Sequence, residues 1–222
     1  MRFFKIFSVL ALLALMVACG DDDAINLDPI ALEAWTNANE QALNDIANNP
    51  EYTEIVSPGN NGSIYYKVLK EGTGEKQIFF TSQVTVYYKG WFVADYEDLS
   101  ITKGKVFDHQ VFDDGTPVVF AVSPAGSTLI TTSDYSSSSY YYSSYYSYYT
   151  SYYDPPSPIE GWVIALQYMK KGDKWEIWIP ARLAYGESGS SDSSGNVTIP
   201  PNSTLVFEIE IVNVKGIDGD VE

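Results

Sequence analysis

The sequence predicts an α+β domain, a mostly antiparallel sheet with one short helix, and an amphipathic helix in front of it. Three observations predict this. Between Ser63 and Lys215 most apolar positions recur with a period of two, as in half-buried strands. One window in that region, Ile159–Met169, reads as a helix instead. Upstream, residues 28–47 carry apolar side chains at spacings of three and four, which is helical.

The chain has 222 residues and opens with a segment that does not read as part of a fold. Arg2 and Lys5 make a positive start, and Ile6–Ala18 is a 13-residue apolar run. That run suits a signal peptide and is shorter than the roughly 20 residues a membrane-spanning helix needs. Leu15-Met16-Val17-Ala18-Cys19 resembles a bacterial lipobox, which implies cleavage before Cys19 and acylation of that residue. The alternative is an ordinary secretory signal with an incidental cysteine. Cys19 is the only cysteine, so no internal disulfide can form. Gly20-Asp21-Asp22-Asp23 reads either as an acidic export signal of surface lipoproteins or as a solvated tether. Loss of residues 1–18 leaves 11 basic and 29 acidic residues, a net charge of −18. Such a charge argues against nucleic acid as a partner.

Asp28 can cap the first helix, and Pro29 suits the first helical position, where its missing N–H costs nothing. Trp35, Ala38, Ala42, Leu43 and Ile46 form its stripe, and Asn48-Asn49-Pro50 ends it. This helix is expected to be a strut on a monomeric domain, with a dimerisation arm as the alternative. Strands are expected at Ser63–Leu69, Gln83–Tyr88, Lys105–Asp108, Pro117–Val122, Trp175–Ile179 and Thr204–Lys215. Ser133–Tyr153 interrupts the series with ten Tyr, nine Ser, one Asp and one Thr. This low-complexity composition gives no basis for assigning an element.

Five segments then carry a resemblance. They are Val84-Thr85-Val86-Tyr87-Tyr88-Lys89-Gly90; Val106-Phe107-Asp108; Ile159-Glu160-Gly161-Trp162; Ile179-Pro180 through Leu183-Ala184-Tyr185-Gly186; and Ile199-Pro200-Pro201-Asn202-Ser203-Thr204-Leu205-Val206-Phe207. Their order and spacing resemble the FKBP-type peptidyl-prolyl cis-trans isomerases. The resemblance implies the FKBP-like fold, an antiparallel twisted sheet wrapped on one short helix, with catalysis of X–Pro rotation and no cofactor or metal. It also implies proline-containing polypeptides as substrates and macrolides as possible inhibitors. Rotation about an X–Pro amide must overcome a barrier near 18–20 kcal/mol set by amide resonance. An apolar cleft with a few donors placed for the twisted amide suffices for that chemistry.

By the same resemblance Trp162 is the floor under the prolyl ring. Tyr88, Phe107, Val118 and Phe207 are substrate-binding walls, with Val118 where the family usually has phenylalanine. Asp108, Tyr185 and Ile159 are the catalytic set. The backbone N–H of Ile159 and the Tyr185 hydroxyl bond substrate carbonyls, while Asp108 bonds Tyr88 at the pocket edge. The sequence departs from the family in three places. No Lys or Arg lies between Lys105 and Lys170, so Asp108 has no local cation, and an aspartate desolvated without one holds its proton more tightly. Residues 190–197 lengthen a loop over the cleft with small polar residues, which predicts a mobile rim. The Ser/Tyr tract enters just before the helix that carries Trp162.

The expected organisation is a lipoprotein signal peptide at 1–18, an acidic tether at 19–27, a helix and linker at 28–62, an isomerase domain at 63–216 with an insertion at 133–153, and a tail at 217–222. The function expected is assistance to the folding of exported or envelope proteins on a lipid-anchored enzyme. The alternative is a noncatalytic chaperone or surface binding module that works through the Ser/Tyr tract.

Overall fold

A computed structural model describes residues 25, 27–94, 104–110, 115–123 and 155–216; the leader, Cys19 and the Ser/Tyr tract lie outside the described residues. The first helix, α1, runs Pro29–Ala47. The Asp28 carboxylate accepts from the backbone N–H groups of Ile30 and Ala31 at 3.0 and 2.8 Å, the cap the sequence suggests. Strands follow at Thr53–Val56 (β1), Ser63–Lys70 (β2), Gln83–Phe92 (β3), Val106–Gln110 (β4) and Val118–Ala121 (β5). After them come α2 (Glu160–Leu166), β6 (Lys174–Ile179), a 3-10 turn (Ala181–Leu183), β7 (Ser190–Ser191), β8 (Val197–Ile199) and β9 (Leu205–Lys215). No helix among the described residues is long and apolar enough to cross a membrane.

Seven strands form one antiparallel sheet ordered β1-β2-β6-β9-β3-β4, with β5 also on β3. Strand β3 is the hinge of this arrangement. One edge pairs with β9 along its whole length, while the other pairs with β5 at Gln83–Val86 and with β4 at Tyr88–Trp91. Alternation along β9 puts Leu205, Phe207, Ile209 and Ile211 into the core and leaves Glu208 and Glu210 on the opposite face. There Lys174 and Lys70 meet Glu208 and Glu210 at 3.1 and 3.0 Å. Helix α2 lies against the core face, with Gly161–Leu166 all buried. A Cβ on Gly161 would stand 2.4 Å from Ile179 Cγ2, so only glycine lets the helix approach β6 this closely.

Several elements differ from the sequence expectation. Residues 53–56, read as linker, form β1; a four-residue strand with only Ile55 buried carries almost no period-two signal. The acidic tether ends sooner than expected, because Ile25 is only 8% exposed and joins the main core. Strand β3 continues four residues past Tyr88, since Gly90, Trp91 and Phe92 complete the pairing with β9. Helix α2 is shorter than 159–169 and ends at Leu166. The expected mobile rim at 190–197 is instead part of the β7–β8 hairpin. Asp192 closes it by accepting from the N–H groups of Ser194 and Asn196, at 2.8 and 2.9 Å.

Helix α1 is part of the domain. Trp35 is fully buried, edge-on to Phe92 at 5.6 Å, and its indole N–H donates to Ser203 Oγ at 3.2 Å. Asn39, which the apolar stripe does not include, is equally buried; its Oδ1 accepts from the Thr204 N–H at 2.7 Å. Ala42, Leu43 and Ile46 cover Trp178 and Val206 on the back of the sheet. Removing the Asn39 acceptor strands a buried donor. Asn39→Ala should therefore cost about 1–3 kcal/mol in urea denaturation. Exposed Asn37→Ala should change stability by less than about 0.5 kcal/mol. Equal effects would show that α1 is not held through Asn39.

Candidate active site

The five motif segments meet at one place. Strand β3 delivers Tyr88, β4 Phe107 and Asp108, α2 Trp162, the turn after β6 Tyr185, and β9 Phe207. Together with Ile159 and Phe120 they line a cleft of about 1110 Å³. A second cavity, about 470 Å³ between α1 and residues 180–187, has a mixed polar lining and contains no predicted site residue.

The cleft is a cage of edge-to-face rings around Trp162. Tyr88 stands 5.2 Å away at 84°, Phe207 5.2 Å at 88°, and Phe120 5.3 Å at 65°. Phe107 leans on Phe207 at 5.5 Å and on Phe92 at 4.9 Å. Each such pair contributes about 0.5–1.5 kcal/mol beyond its buried area, so the rings of the cage brace one another. The rings close in only because position 90 has no side chain. A Cβ on Gly90 would lie 2.7 Å from Phe207 and 2.8 Å from Phe107.

Polar groups sit at the mouth. The Tyr88 hydroxyl donates to Asp108 Oδ2 at 2.8 Å. Burial, that hydrogen bond and the Asp108 charge all push the Tyr88 phenol well above its ordinary value. Tyr185 is 40% exposed; burial of the rest, then the Asp108 charge, raises its pKa too. Both phenols are therefore protonated donors at neutral pH. Ile159 occupies the N-cap position of α2 in extended conformation.

Seven of the eight predicted catalytic and binding residues converge here, and Val118 does not. Val118 pairs with Val86, whereas Phe120, opposite Val84, reaches Tyr88 and Trp162. The two residues share a face of β5, so period-two reasoning cannot choose between them; the pairing register decides. Asp108 is exposed, so the desolvation anticipated for a carboxylate without a cation does not occur. His109 is likewise exposed. Phe80, 57% exposed at the cleft edge, gave no sequence signal because it lies in a loop.

Comparison with known proteins agrees with this geometry. Residues 138–212 match the family model described as FKBP-type peptidyl-prolyl cis-trans isomerase. A probable FKBP-type isomerase of Haemophilus influenzae is 30% identical over 152 residues, 68% of this chain and 43% of that protein. The outer membrane protein MIP of Legionella longbeachae is 30% identical over 152 residues, 68% of this chain and 44% of that protein. The crystal structure of FkpA from Escherichia coli superposes with a TM-score of 0.52 at 26% identity, covering 85% of this chain and 62% of that one. These residues form an FKBP-type domain. The chain spans less than half the length of both curated relatives named here.

The raised phenols set a pH dependence. Folded Tyr52, Tyr65, Tyr88 and Tyr185 keep protons that the unfolded chain releases near pH 10. Their contribution is therefore complete below that pH and is lost as pH rises above it. Urea denaturation between pH 8 and 11.5 should show stability falling above about pH 10. In Tyr88→Phe the fall should be shallower. An unchanged slope would show that Tyr88 titrates alike in both states.

Proposed function

We propose that the FKBP-type domain catalyses cis-trans isomerisation of X–Pro bonds in exported or envelope proteins. The observation that carries this reading is the Trp162 ring cage with Tyr88–Asp108 and Tyr185 at its mouth. The planar amide owes its barrier to charge-separated resonance, which water supports. Seating the prolyl ring among Trp162, Tyr88, Phe107, Phe120 and Phe207 removes that water. In this reading Tyr185 and the Ile159 N–H hold the substrate carbonyls, and Asp108 orients Tyr88 and favours the twisted amide. Uncatalysed isomerisation takes tens to hundreds of seconds, long enough to limit folding of an exported chain.

The same reading takes Cys19 as the lipidated residue and the envelope as the working compartment; the lipobox-like residues 15–19 and the name of the Legionella relative support it. The domain acts as a monomer, with α1 as a strut whose buried side chains are satisfied within the chain. Macrolides that mimic a twisted prolyl amide would occupy the same cage.

Exchange spectroscopy on an Ala-Pro peptide tests the activity. Tyr185→Phe and Asp108→Ala should each lower kcat/KM by about 3–10-fold, the worth of one hydrogen bond. Trp162→Ala should lower it further and weaken macrolide binding. No acceleration by micromolar protein would overturn the isomerase reading and leave a noncatalytic binding module. Incorporation of labelled palmitate that survives Cys19→Ser would remove the anchor assignment.

A further inference from the structure

The cleft carries more negative charge than the isomerisation reading uses, since Glu160 joins Asp108 in its lining. Among its described lining residues are two carboxylates, Asp108 and Glu160, and no lysine, arginine or histidine. Both residues are exposed, and their described hydrogen-bond partners are neutral hydroxyls: Tyr88 on Asp108 at 2.8 Å and Ser57 on Glu160 at 3.3 Å. The stretch from residue 106 to 169, which supplies β4, β5 and α2, has six acidic residues and no lysine or arginine. Arg182, near Tyr185 in sequence, is not among the residues that line the cleft; it lies over Gly62 and lines the smaller cavity.

Resting on the isomerase reading, we infer that the site selects a particular substrate class: proline segments with a lysine or arginine within two residues of the X–Pro pair. A basic side chain can lay its methylene stem on the apolar lining, which includes half-exposed Phe80, and hold its charge in water near Asp108 or Glu160. Acidic segments meet like charge from Asp108 and Glu160 in the cleft lining. At such solvent-exposed separations one charge contact changes affinity several-fold, and salt screens it.

Exchange spectroscopy with end-capped Lys-Ala-Pro-Phe-Lys and Glu-Ala-Pro-Phe-Glu tests this. The expected kcat/KM ratio is about 3–10 in favour of the lysine peptide at about 20 mM salt, falling below about 2 at 0.5 M. Glu160→Lys should abolish or invert the ratio. Glu33→Lys, the same charge change on the exposed face of α1, should leave it in place. Equal rates for the two peptides, or equal effects of the two variants, would overturn the inference while leaving the isomerase intact. If neither peptide is accelerated, the isomerase reading fails separately. Binding followed by tryptophan fluorescence then decides the selectivity, with equal affinities overturning it and tighter lysine-peptide binding supporting it.

Discussion

The contact between Gly161 and Ile179 is the constraint on which the site depends. Helix α2 has seven residues, too few to be stable alone. It exists because six of them are buried against a sheet that supplies the stabilisation a longer helix would carry itself. The absent Cβ at position 161 sets the distance to β6, and that distance sets where Trp162 falls among Tyr88, Phe120 and Phe207. The cleft floor is therefore part of the core, and its shape follows from packing rather than from flexible loops. A consequence is that substitution at Trp162 mixes stability with function, whereas Tyr185 and Asp108, at the exposed mouth, separate them.

How much of this was legible in the sequence follows from how each residue signals. Helix α1 was legible because Asp28-Pro29 and the three-four spacing are local chemistry. The strands that bear motifs were legible because alternation and motif agree there. Asn39 was not, since an asparagine on a helix reads as solvent-facing until a partner 165 residues away claims its side chain. Strand β1 was too short to show a period. The choice of Phe120 over Val118 needed the β3–β5 register, which no local pattern encodes. The hairpin at β7–β8 was masked by composition: Ser, Asp, Gly and Asn read as loop, yet Asp192 uses those same residues to build a tight turn.

Electrostatics separates the two faces of the sheet. On the back, lysines and glutamates alternate and pair across strands, as Lys70–Glu210 and Lys174–Glu208 do. Such pairs at the surface contribute little stability, but each sets a lysine against a glutamate there. The cleft face has no equivalent among its described lining. The acidity of the chain is thus not spread evenly: it is compensated where the sheet meets solvent and left uncompensated where a ligand would enter.

The packing of Ile25 also bears on where the domain works. With Cys19 as the proposed lipid-bearing residue, five residues separate anchor from core, because Ile25 is already buried in the main core. Fully extended, the six steps from Cys19 to Ile25 span at most about 22 Å. Helix α1 adds no reach, since Trp35 and Asn39 fix it to the corner at Ser203 and Thr204, just before β9. An anchor so placed would hold the cleft within that tether length plus about a domain's diameter of the lipid surface. The acidic chain is then kept off anionic headgroups only over a Debye length near 8 Å. Under the proposed anchor, a domain tethered that closely would meet chains as they leave or approach the membrane.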